Sequence, residues 1–109
     1  MEIINILGTD YTIKYQNETE NPKLVGNDGL CETFSKELVL REFETTNDML
    51  DNIDKYKEKV LRHEVIHGFF FESGLDCNSD FGRNEELVDW IAIQFPKMYR
   101  VFKELGVLE

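Results

Sequence analysis

The sequence predicts a small α+β domain, an N-terminal antiparallel sheet of three or four strands followed by helices, on three observations. Apolar residues alternate with polar ones up to about residue 43 and then recur at helical spacing. Turn-forming Gly, Pro, Asn and Asp cluster between the proposed strands and again before the last third. The chain has 109 residues, 41% of them hydrophobic and eight of them Phe, enough apolar surface for one core but not two.

Residues 1–43 read as the sheet. Ile3, Ile4, Ile6 and Leu7 precede Gly8-Thr9-Asp10, and Tyr11, Ile13 and Tyr15 alternate with Thr12 and Lys14, a hairpin turning at Gly8 to Asp10. Gln16 to Gly29 is polar, holds Pro22 and ends in Gly26-Asn27-Asp28-Gly29, which makes it a loop with a tight turn. From Leu30, Phe34, Leu38, Val39 and Leu40 suit one or two short strands with a turn near Ser35 and Lys36. A helix follows over 47–73, capped by Thr45, Thr46 or Asn47 with Asp48 in its first turn and stopped at Gly74. Leu75 to Arg83 is a loop. Residues 84–105 form one or two C-terminal helices that bury Leu87, Val88, Ile91 and Phe95, with Pro96 a kink or an end and Gly106 a stop. Phe69, Phe70, Phe71, Trp90, Phe95 and Phe102 are expected in the core and between helices.

Charge narrows the function classes. Asp and Glu outnumber Lys and Arg by 22 to 12, and a net charge of -10 repels phosphate backbones and anionic lipid. Neither nucleic acid nor membrane is an expected partner. A DNA mimic, with carboxylates arrayed to fill a basic groove, is the one reading in which acidity itself is the function. The N-terminus has no basic region and no apolar run long enough for a signal or a span, so a cytoplasmic location is expected. Cys31 and Cys77 then read as reduced thiols, Cys77 a plain loop thiol in preference to an alternative or inhibitory zinc ligand.

The stretch LRHEVIHGFF, Leu61 to Phe70, holds the only two histidines, His63 and His67. Four residues apart on a helix, they lie about 40° apart in azimuth and about 6 Å along the axis, close enough to grip one ion. Neutral imidazoles suit Zn2+, whose catalytic sites take three protein ligands and leave the fourth position to water. Glu64, beside the first histidine, is placed to act as a general base rather than a ligand. The third ligand is expected from NEELVDWIA, Asn84 to Ala92, where Glu85 and Asp89 share a face. Glu85 would bind the metal while Asp89 accepts a hydrogen bond from the second nitrogen of His63, fixing its tautomer. Glu86 competes with Glu85, but it projects with Trp90 and Ile93, whereas Glu85 projects with Asp89 and Ala92; Glu85 is preferred. The bland alternative leaves both as solvated acids in a helix's first turn.

HEVIH at 63–67 followed by NEELVD at 84–89 resembles the gluzincin pattern of thermolysin-like peptidases, HExxH and then NExxxD. The small size and the strands-then-helices order resemble the minimal phage and mobile-element metallopeptidases related to the ImmA/IrrE family. The resemblance covers mainly residues 60–96. It implies His63, His67 and Glu85 as zinc ligands, Glu64 as general base, Asp89 behind His63, and a phage- or prophage-encoded metallopeptidase cutting a protein or peptide. After the glutamate the usual small-residue EAxxFA pattern is replaced by Glu86-Leu87-Val88-Asp89-Trp90, so the resemblance carries the ligands and not the substrate contacts. Tyr56, Arg62, Arg83 and Tyr99 are the candidates for stabilising an oxyanion, and the strand around Glu37 to Arg41 is the expected peptide-binding edge. The rival is a structural or regulatory protein in which zinc only ties two helices together. Such a protein would have no need of Glu64.

Overall fold

A computed structural model of the chain describes residues 2–43 and 50–109. It is α+β as expected: strands β1 (Glu2–Ile6), β2 (Thr9–Gln16), β3 (Gly29–Glu32) and β4 (Glu37–Arg41), then helices α1 (Leu50–Glu72), α2 (Leu75–Asn78) and α3 (Glu85–Leu105). The caps expected at Thr45 to Asp48 lie outside the described residues.

The sheet runs β1-β2-β4-β3 and is mixed rather than antiparallel. β1–β2 and β3–β4 are antiparallel, but the two central strands run parallel, from Thr12 beside Glu37 to Gln16 beside Arg41. Parallel neighbours need a long crossover. Here it comprises a one-turn 3-10 helix, Pro22–Leu24, and strand β3 itself. Two consequences correct the sequence reading. β4 lies inside the sheet, so Glu37 to Arg41 is no free edge; the edges are β1 and β3. The first hairpin also turns earlier than Gly8 to Asp10, at Leu7-Gly8, because Thr9 and Asp10 already pair with Ile6 and Asn5. Leu7 and Gly8 have φ of 51° and 96°, the two positive values that a type I′ turn demands.

One face of the sheet packs on α1. Ile6, Tyr11, Ile13, Leu38 and Leu40 form the core with Val60, flanked by Cys31, Leu61 and Val65. On α1 the buried positions are Ile53, Val60, Glu64 and Gly68, a stripe at helical spacing facing the strands. Gly68 belongs there because a Cβ would stand 2.8 Å from Ile6 Cδ1. Gly74 ends the helix, as expected, in the left-handed conformation at φ 85°.

Between the long helices the expected loop contains α2 and a 3-10 turn, Asp80–Arg83. Asn84 then caps α3, its side chain accepting from Leu87 N at 2.8 Å. α3 continues through Pro96 to Leu105, where Gly106 closes it at φ 69°. Its packing differs from the expectation. Val88 and Ala92 are buried, Leu87 and Ile91 are half-buried, and Phe95 is exposed. Phe69, Trp90 and Phe102 are exposed as well, leaving only Phe70 and Phe71 of the expected packing aromatics partly covered. No helix among the described residues is long and apolar enough to cross a membrane.

Candidate metal centre

α1 and α3 run antiparallel, so rising numbers on one meet falling numbers on the other. Lys59 pairs with Asp89 at 2.9 Å, His63 meets both Asp89 and Glu85 at 3.0 and 2.8 Å, and His67 meets Glu85 at 3.0 Å. This order brings the predicted ligands together. His63 Nε2 lies 2.8 Å from Glu85 Oε2 and His67 Nε2 lies 3.0 Å from Glu85 Oε1, one carboxylate spanning both imidazoles. One donor atom from each of His63, His67 and Glu85 falls within 4.8 Å of the others. Glu86 and Cys77 are not in the group.

Behind it, Asp89 Oδ1 is 3.0 Å from His63 Nδ1, the contact expected from sequence. Asp89 also takes the Lys59 ammonium, a partner the sequence did not reveal. Burial works against ionising both acids. For Asp89 the hydrogen bonds from Lys59 and His63 outweigh it, and for Glu85 the attraction of His67 and the hydrogen bonds of both histidines do, so both carboxyls sit below their usual range.

Glu64 is treated differently. One residue from His63, its position is rotated about 100° from the histidine, off the ligand face and onto the stripe that faces the sheet. Its side chain is buried, 7% exposed, and lies against Gly29 of β3, where a Cβ would come within 3.0 Å of Glu64 Cγ and Oε2. Burial pushes its carboxyl up to about 7; His63 opposes that push and Glu85 adds to it. The carboxyl reaches two cavities. One, about 540 Å³, is shared with His67, Glu85, Arg83, Asp76 and the strand from Gly29 to Cys31. The other, about 180 Å³, is shared with His63, Asp89, Lys59 and Tyr56.

The donor set fits a zinc-type ion: two imidazoles, one carboxylate, a fixed outer contact on one histidine, and open volume beside them. Comparisons with protein-family models, with curated proteins and with solved structures returned no match. The site therefore has to be argued from its own geometry.

The structure also sorts the candidate oxyanion donors. Arg83 and Tyr56 each line a cavity that Glu64 reaches. Arg62 lines the groove on the opposite side of the helix pair, and Tyr99 lies on the exposed end of α3. Tyr56 donates to Asp28, which, with burial, raises its hydroxyl to about 12. Two organising residues escaped the sequence reading. Arg41 bonds Leu24 O, Asn27 O and Glu18, holding the 17–28 segment that walls the smaller cavity. Glu72, at the end of α1, accepts from Tyr11 Oη at 2.6 Å, Thr9 Oγ1 at 2.8 Å and Lys36 Nζ at 2.9 Å, tying α1 to the sheet. Their partners lie far away in sequence, so no local pattern marks them.

Proposed function

We propose that this chain is a small zinc-dependent peptidase of the gluzincin kind, acting on a protein or peptide. The observation that supports it best is the placement of Glu64: a buried carboxyl held on the cavity wall next to a two-histidine, one-glutamate donor set, where a site that merely joined helices would have no use for it. His63, His67 and Glu85 would hold the ion, and Asp89 would fix the ring of His63. A bound zinc supplies Lewis acidity and lowers the pKa of water. Glu64 accepts the proton of the attacking water and returns it to the departing amine, a role suited to a carboxyl held on the cavity wall beside the donor set. Edge strand β3, which lines the larger cavity, offers main-chain groups to an extended substrate. Arg83, which lines the same cavity with its Nε on Asp76 O, would meet the developing oxyanion with its remaining N–H groups. A phage or prophage origin fits the resemblance and is part of the proposal.

The test is metal analysis of the wild type beside His63→Ala and Glu64→Gln, with a peptide-cleavage assay. We expect one zinc in the wild type, none in His63→Ala, and zinc without cleavage in Glu64→Gln. A wild type without zinc removes the centre, and cleavage unchanged in Glu64→Gln removes the base. A second reading, zinc as a purely structural tie, draws on the contacts by which Glu85 and Asp89 already bind α3 to α1. It expects zinc to raise stability with no cleavage of any peptide.

A further inference from the structure

α3 packs with the wrong face for a helix that is complete on its own. Its buried residues, Val88 and Ala92, lie on one side, while Ile91, Phe95, Met98, Phe102 and Leu105 form a continuous apolar stripe beside it. From Lys97 to Glu109 every residue is exposed. Next to the start of this stripe, α1 and α3 enclose an open apolar groove of about 700 Å³, lined by Leu61, Val65, Ile66 and Phe69 on α1 and by Ile91 and Phe95 on α3. It lies on the side of α1 away from the metal centre, and none of the ligand residues lines it.

We infer that two copies of this chain pair about a two-fold axis, the α3 end of each (Met98, Phe102, Leu105) seated in the α1–α3 groove of the other. The groove and the ridge that fills it lie on the same chain, the condition for an isologous interface. Met98, Phe102 and Leu105 follow i, i+4, i+7 spacing, so one helix face presents all three, and a helix laid between two others completes a bundle. Charge selects the same arrangement. The chain as a whole is at -10, yet residues 97–109 carry Lys97, Arg100 and Lys103 against Glu104 and Glu109. An antiparallel α3 pair seats this basic end in a groove whose rim carries Glu58, with opposed helix dipoles. The exposed area points the same way. Phe69, Phe95, Met98, Phe102 and Leu105 are 38–67% exposed. At about 150–250 Å² for a large side chain they leave roughly 450 Å² of surface per copy, over half of the ~800 Å² that a stable interface takes from each partner.

The test is the mass of the full chain in solution at high micromolar concentration, by light scattering or sedimentation. The wild type should run at about twice 12.8 kDa. Phe102→Glu on the ridge and Phe69→Glu in the groove should each run at the single-chain mass with unchanged circular dichroism; if Phe102→Glu misfolds, Leu105→Glu, at a more exposed position, replaces it. Mixing a ridge variant with the groove variant should restore a weaker dimer, because one of its two seatings joins an intact ridge to an intact groove. A monomeric wild type would give the face to some other partner and overturn the proposal. So would a dimer that survives Phe102→Glu, or variants that stay monomeric when mixed.

Discussion

Asp89 and Glu72 are carboxylates whose partners define them. Asp89 joins Lys59 on α1 to His63 and thereby sets which imidazole nitrogen is left to face Glu85. Contacts of this kind are worth 10–100-fold in metal affinity, so Asp89→Asn should weaken zinc binding by about that factor, read by competition with a chromophoric chelator, while the far-ultraviolet spectrum stays unchanged. Glu72 is a clamp rather than a site. The Tyr11 hydroxyl first, then Lys36 and Thr9, hold its carboxyl down at about 2 against an ordinary 4.5. Because the folded value is depressed, this stabilisation is complete above the unfolded value and fades as the pH falls from about 5 to about 2. Glu72→Gln should therefore cost about 2 kcal/mol at neutral pH, measured by urea unfolding, and the gap to wild type should close near pH 2. His63, Glu64 and His67 were legible in the sequence because helical spacing is a local rule, and Glu85 was separable from Glu86 by what projects beside each. Glu72 and Gly29 were not, since one depends on Tyr11, 61 positions away, and the other on the approach of a helix that begins 21 residues later.

At the level of elements, α1 serves two surfaces at once. Its Ile53, Val60, Glu64 and Gly68 stripe faces the strands, and its histidines, turned off that stripe, face α3. That is why HExxH yields a division of labour: the geometry of a helix sends the glutamate to the sheet side and the histidines to the neighbouring helix. The change from alternating to helical apolar spacing marked strands and helices correctly, and Gly74 and Gly106 marked both helix ends. The hairpin turn was misplaced because Leu7, a poor residue for positive φ, occupies a position where Asn or Gly is expected. Leu7→Asn should relieve this and raise stability by about 1 kcal/mol, seen as a higher midpoint of denaturation with an unchanged slope. The face of α3 was misread for another reason. Its amphipathic pattern reports where apolar residues lie, not which of them this chain itself covers, and Phe95 and Phe102 remain outside.

For the whole molecule, the proposed metal centre and the sheet are coupled through α1, and zinc held there by folded chains but not by unfolded ones should stabilise everything at once. At free zinc about 100 times the dissociation constant the gain is about 2.7 kcal/mol, on the order of 10 °C in a domain of this length, and EDTA should reverse it in a thermal scan. The sequence disclosed the order of strands and helices but not the parallel pairing at the centre of the sheet, because strand partners chosen across a crossover leave no local trace. That seam has a kinetic meaning. The β1–β2 and β3–β4 hairpins can each zip from their own turns, yet neither buries the core until Thr12 finds Glu37 across the crossover. Closing that loop is the entropic toll of folding, so truncating Leu38 should slow the folding limb of a chevron plot, whereas Leu7→Asn should act on hairpin closure ahead of it. The order of assembly predicted from the sheet is two ribbons first, with the joint between them as the step that sets the pace.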